Sequence, residues 1–201
     1  MATIRWGSIG PLIVTALAIM GSPGPATISL TAAGSAYGVR RSLAYLLGII
    51  VGSTIVLVAV ATGITAALLA VPALRVALVA ISVAYILWLA YRVATASPLG
   101  ARAAATDAPS LAGGTLFGVA NPKAWVAIAA VFASTRLADT AIADEAAKIA
   151  LLTVMIVLIN ATWLIAGASL APMLRNPHRS RIINRALACA LVGATALALI
   201  H

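Results

Sequence analysis

Acidic residues are nearly missing from this chain. Asp and Glu together number 4 in 201 residues, and charged residues of both signs make up only 8%. A soluble domain of this size carries about a quarter charged residues, so a water-facing globule is excluded. Cysteine occurs once, at Cys189, which rules out an internal disulfide; its apolar surroundings make it a small buried or lipid-facing side chain. Histidine occurs twice, at His178 in a basic loop and His201 at the C-terminus. That leaves no metal-ligand cluster, and neither a phosphate-cradling loop nor a nucleophile–base pair is found. The sequence speaks against an enzyme and implies no metal and no cofactor.

What fills the space is hydrocarbon. Hydrophobic residues are 63% of the chain and the mean hydropathy is +1.12. There are 33 uncharged residues between Arg41 and Arg75, and 26 between Lys148 and Arg175. About 20 apolar residues cross a bilayer core of about 30 Å, and in lipid such runs become helices because every backbone polar group must pair internally. The short alternating strands of a barrel are not present. The reading is an all-α, polytopic membrane protein with about six transmembrane helices near 8–31, 43–66, 73–94, 112–135, 147–171 and 182–201. The third is tight, with 16 uncharged residues between Arg75 and Arg92, so both arginines are expected to snorkel outward. The whole chain, 1–201, reads as one transmembrane domain, with halves of about 1–96 and 110–201 and a linker at 97–109 containing Pro98, Gly100 and Pro109. The apolar stretch after Arg5 is not read as a cleaved signal, because more membrane follows it.

The net charge of +9 would suggest nucleic acid in a soluble protein. Here it reads as the positive loops that orient helices in a bilayer, with no nucleic-acid partner. Arg40, Arg41, Arg92, Arg102, Arg175, Arg179, Arg181 and Arg185 collect on one side. Arg5, Arg75, Arg136 and Lys148 lie on the other, together with Asp139, Asp144 and Glu145. The richer side is expected to be cytoplasmic, which puts both termini outside.

Two interrupted segments stand at matching places. The first span contains Gly21-Ser22-Pro23-Gly24-Pro25, and the fourth contains Gly118-Val119-Ala120-Asn121-Pro122-Lys123. Each opens a three-helix half; three is odd, so the halves are expected to be inverted repeats, and such paired interruptions point to a transporter binding site. Proline removes an N–H and displaces the carbonyl four residues back, so Pro23, Pro25 and Pro122 free the carbonyls of Ile19, Gly21 and Gly118. A lone interruption of this kind is often a simple kink; two in register favour a site. Lys123 is the only charge placed deep within a span, where a lysine costs roughly 2.5–3.5 kcal/mol and usually faces an interior cavity; the alternative is a later start of the fourth helix, with Lys123 snorkelling to the cytoplasmic interface. Gly24, Thr27, Ser29, Tyr45, Ser53, Asn121, Asn160 and Trp163 are candidates to line that cavity. The two amides are the stronger ones, because an amide in lipid needs a specific partner. Gly48-xxx-Gly52 and Gly114-xxx-Gly118 read as close-packing patterns rather than ligand contacts.

Pro23-Gly24-Pro25, then Gly34, Gly38 and Gly48, Tyr85-Ile86-Leu87-Trp88-Leu89, and Gly118 with Asn121-Pro122-Lys123-Ala124 resemble the lysine-exporter (LysE/RhtB) family over nearly the whole chain. The resemblance implies a bacterial inner-membrane exporter of amino acids and related metabolites, driven by the proton motive force. It also implies a functional core of Pro23, Gly24, Pro25, Asn121, Pro122 and Lys123, to which the polar reading adds Thr27 and Asn160. The implied partners are an amino-acid substrate and the lipid bilayer, and a homo-oligomer is compatible with it. Ala26 stands where many relatives have Asn or Asp, and Trp125 and Phe132 replace a usual Phe pair. All four acids are expected in loops, so a dibasic substrate would bring an unpaired cation into the membrane; a neutral amino acid or small zwitterion is favoured. With no buried carboxylate expected, Lys123 is left as the proton carrier. The competing readings are a non-transporting accessory or structural subunit and a passive pore.

Overall fold

The computed structural model describes residues 3–63, 108–169 and 176–200, with single positions between 76 and 95. Among the described residues the protein is all-α, with six α-helices and no sheet. A 3-10 turn, Trp6–Ser8, leads into α1 (Ile9–Ile19), followed by α2 (Pro25–Ala61), α3 (Leu111–Ala120), α4 (Pro122–Ser134), α5 (Ala141–Ser169) and α6 (Pro177–Ile200). Among the described residues two helices, α2 and α5, are long and apolar enough to cross a membrane; α3 and α4 meet the criterion together, bent by 60° at Asn121. Of the six spans read from the sequence, the described residues show two, or three with the bent pair. The third expected span has helical backbone at Val76, Ala80, Val83, Ala84, Leu87, Trp88, Ala90, Tyr91 and Ala94; its other positions, with Arg75, Tyr85, Ile86, Leu89 and Arg92, lie outside the described residues, as do Arg175 and 97–107 of the expected linker.

The boundaries differ from expectation for local reasons. The first span is cut in two, because Pro25 starts a new helix at the first-turn position where its missing N–H costs nothing. The helix then runs past the expected loop at 32–42 and turns sharply at Gly38 (φ 75°, ψ 169°), a conformation that glycine adopts without the penalty of a Cβ. Exposed Arg40 and Arg41 follow that kink. Helix α6 starts earlier than expected and takes His178 out of a loop and into its first turn. Cys189 is exposed on α6.

Helix α5 also begins earlier than expected, and this corrects two charge assignments. Asp144, expected in a loop, lies within the helix, and Lys148, expected at its end among the outer charges, is buried in it. They lie one turn apart on α5, 7% and 5% exposed, paired at 2.8 Å. Asp144 Oδ1 accepts the N–H groups of Leu137 and Ala138, and the Lys148 ammonium sits 4.9 Å from the Phe132 ring centroid. Lys148 is thus a lysine held away from water, more deeply buried than Lys123. The connector at 135–140 is also held by the N-terminus: Ile4 and Ala138 form an isolated bridge, Arg5 N–H donates to the Leu137 carbonyl at 2.8 Å, and Arg5 Nε donates to Asp139 at 2.9 Å.

Helix α2 is the hub, contacting α5 and α3 most extensively. Both crossings are made on glycine. Gly48 and Gly52 face Gly114 and Gly118 so closely that a Cβ on Gly52 would stand 2.5 Å from the Thr115 carbonyl oxygen, and one on Gly118 2.8 Å from that of Ile49. The two small-residue patterns of the sequence are the two sides of one interface. Gly34 and Gly167 bring α2 equally close to α5. The outward faces of these helices carry Val51, Ile55 and Val58 on α2 and Val154, Leu158 and Ile165 on α5, all exposed, an apolar surface far larger than water-soluble monomers present.

Gly52→Val should destabilise the α2–α3 crossing by about 1–3 kcal/mol, as overpacking does. A thermal melt of the detergent-solubilised protein should show a clear drop, whereas Gly10→Ala, with open space around it, should melt as wild type. Asp139 offers a pH test. Hydrogen bonds from Thr3 and then Arg5 hold its carboxyl below the ordinary 3.8. A depressed pKa contributes stability above the unfolded-state value, lost as pH falls through the lower folded-state value. The melting midpoint should therefore fall less steeply below pH 3.8 in Asp139→Asn than in wild type; equal slopes would dismiss this tie.

Candidate functional site

Two helix interruptions define the site, and each is rebuilt by side chains. At the first, α1 ends at Ile19 and α2 starts at Pro25. The Ser22 hydroxyl donates to the freed carbonyl of Ile19 at 2.9 Å, and Trp163 Nε1–H reaches across from α5 to that of Gly21 at 3.2 Å. Gly24 is extended (φ −164°, ψ −178°); its N–H donates to Thr27 Oγ1 at 2.8 Å and its carbonyl accepts from the same hydroxyl at 3.0 Å. At the second, Asn121 is extended (φ −70°, ψ 108°) and its Oδ1 caps α4 by accepting from Lys123 N–H at 3.2 Å. Pro122 opens α4 as Pro25 opens α2, and Trp125 Nε1–H caps the Val119 carbonyl at 2.6 Å.

Lys123 joins the two interruptions. Its side chain lies along Gly24, where a Cβ would collide with its Cδ at 2.5 Å. Its ammonium donates to the Ser22 carbonyl at 2.5 Å, to Ser22 Oγ at 2.8 Å and to the Pro23 carbonyl at 3.2 Å. It is half-buried in the first turn of α4, beside the break. Among the described residues no carboxylate pairs with it; the ion pairs there are Arg5–Asp139 and Lys148–Asp144.

A cavity of about 50 Å³ opens beside this junction. Of the eight residues expected at the site, Gly24, Thr27, Asn121, Lys123 and Asn160 line it; Pro23, Pro25 and Pro122 do not, and shape the breaks instead. Ser53 lines it as well, while Ser29, Tyr45 and Trp163 do not. Tyr45 is fully buried, donating to Ser29 Oγ at 3.2 Å. Met20, Ile128, Ile156 and Ile159 supply the apolar wall.

The amides carry the polarity. Asn160 is 7% exposed and its Nδ2 donates to the Ile156 carbonyl at 2.7 Å, so that its Oδ1, the acceptor, is left without a partner among the described residues. Asn121 is 4% exposed and its Oδ1 is occupied by Lys123 N–H, which leaves its Nδ2 donors unused. A backbone partner fixes which end of each amide is oxygen. A buried acceptor and a buried donor on one cavity are costly unless a ligand or water completes them.

Ser22, Trp125 and the apolar wall were not singled out as site residues from the sequence. Ser22 sat inside the quoted motif, and the signal for the tryptophans was available: an indole N–H in apolar surroundings needs an acceptor, and proline had freed carbonyls within reach. No curated protein and no solved structure matches this chain. A family model described as LysE type translocator matches residues 17–201, which includes both interruptions and every residue of the cavity. The chain belongs to the LysE family of translocators, membrane exporters of amino acids rather than enzymes.

Proposed function

We propose that this protein exports small neutral amino acids or closely related zwitterions across the bacterial inner membrane, driven by the proton motive force. The single observation that carries the reading is Lys123, which bridges both helix interruptions at a cavity with unpartnered amide groups. Six transmembrane helices in two inverted halves, about 1–96 and 110–201, would place that junction at the centre of the molecule, with both termini outside. Alternating access would come from rocking of one half against the other.

The zwitterion suits the walls. Its carboxylate would lie against Lys123 and the free Asn121 Nδ2, and its ammonium among the neutral oxygens of the same junction. The carbonyls of Ile19 and Gly21, the acceptors expected from the proline positions, are occupied by Ser22 and Trp163 and are not assigned to the substrate. Among the described residues no acid lines the cavity, which favours a neutral over a dibasic substrate. The volume, about 50 Å³, corresponds to about four waters at the space one water needs, and favours a small side chain and a carrier over a passive pore. One charge moving through about 100 mV supplies about 2.3 kcal/mol, or roughly 50-fold accumulation.

Efflux from preloaded cells tests this. Alanine, serine or threonine should leave faster in cells making the protein, and collapse of the membrane potential should stop it. Strong lysine export with no response to neutral amino acids would overturn the substrate class; equilibration without concentration would indicate a pore, and no effect an accessory subunit. Lys123→Met should reduce efflux to background at normal membrane levels, and unchanged efflux would remove Lys123 from the mechanism.

A further inference from the structure

The turn at Ser22 and Pro23 is built to hold a primary ammonium, and the chain's own lysine fills it. Lysine has three N–H donors, and Lys123 places them on three oxygens: the Ser22 carbonyl, Ser22 Oγ and the Pro23 carbonyl. The Ser22 hydroxyl spends its proton on Ile19, so it meets the ammonium with a lone pair. Nothing remains on the lysine for a substrate carboxylate while it sits there. All three acceptors are neutral, so the cradle recognises N–H geometry rather than the identity of the amine.

We propose that this cradle is the subsite for the α-ammonium of the transported zwitterion, and that Lys123 occupies it in the empty protein as a tethered competitor. When the substrate's ammonium enters, Lys123 leaves the cradle and pairs with the substrate's carboxylate, which also meets Asn121 Nδ2. The swap keeps one ammonium on the cradle throughout. It explains selection at both ends of the ligand: an amine without a carboxylate would strand Lys123 as an unpaired ammonium in a poorly hydrated site, which is expensive, and an acid without an amine would leave the cradle empty. This inference rests on the transport reading of the same cavity.

The test uses the full-length protein in detergent and Lys123→Ala, with propylammonium as the probe, since it restores the stem and nitrogen that alanine lacks. Propylammonium at saturation should raise the melting midpoint of Lys123→Ala by several degrees and leave wild type within about one degree, because ligand binding to the folded state alone stabilises it. Tetramethylammonium, which has no N–H, should do nothing. The response should disappear in Lys123→Ala/Ser22→Ala. Should Lys123→Ala fail to fold, its folded yield in the presence of propylammonium is the readout, and restored yield supports the cradle. Neither stabilisation nor restored yield, or a response that survives loss of Ser22 Oγ, overturns it. Failure of the transport reading is separable: wild type that exports no amino acid would sink that reading whatever the amine does, whereas efflux with no amine response would sink the cradle alone.

Discussion

A backbone carbonyl released inside hydrocarbon has to find a donor, and two proline interruptions release several at one place. Most of the polar chemistry near the cavity answers that requirement. Ser22 and Trp163 close the first break, and Trp125 and Asn121 close the second. Lys123 belongs to the second break but donates to the first. A side chain that satisfies the backbone of one segment from the start of another makes the two breaks mechanically dependent. Movement of α4 relative to the Gly21–Pro25 turn must either carry Lys123 along or release it.

That dependence needs the helices to be held close by something other than the hydrophobic effect, since lipid is as apolar as leucine. The glycine faces meet the need. Gly48 and Gly52 against Gly114 and Gly118, Gly34 against Leu164 and Ala168, and Gly167 against Thr31 let backbones touch, where dispersion and weak polar contacts act over a continuous surface. Helix α2 is therefore clamped to α3 just before the second break, and to α5, which carries Asn160 and Trp163. The cavity is the space left where two breaks interrupt these tight crossings. Its polar lining comes from residues that have to be polar for backbone reasons, and the two unused amide ends are the part that backbone repair does not account for.

Much of this was legible in the residues. Proline and glycine mark helix breaks by steric rules that hold in any surroundings, so both interruptions, their pairing and the small-residue interface could be read directly. Lys123 stood out because its cost in a span demands an interior position. Other features depend on partners distant in sequence. The run of α2 through 32–42 turns on whether Gly38 makes a loop or a kink, and composition does not distinguish them. The early start of α5 depends on Asp144 finding two backbone N–H groups and Lys148 together; counting charges along the chain leaves Asp144 in a loop and Lys148 at the very end of a span. Trp163 could be an interfacial anchor or a cap, and only its contact with Gly21 decides.

The buried acid bears on charge selection, because a carboxylate inside a helix is where a cationic side chain could go. Asp144 does not offer that. One oxygen accepts two backbone N–H groups and the other faces Lys148 at 2.8 Å, so a cation arriving there would have to displace a lysine whose own burial makes an unpaired state costly. Asp144 is also absent from the cavity lining. What the cavity holds is one ammonium, Lys123, and neutral dipoles. On the proposed function, a zwitterion entering it would add a charge of each sign and satisfy both, its carboxylate on Lys123 and its ammonium on the oxygens. A dibasic amino acid adds a further positive charge that no described group in the cavity answers. On that reading, the same lysine that ties the two breaks together would also set the charge of what the cavity accepts.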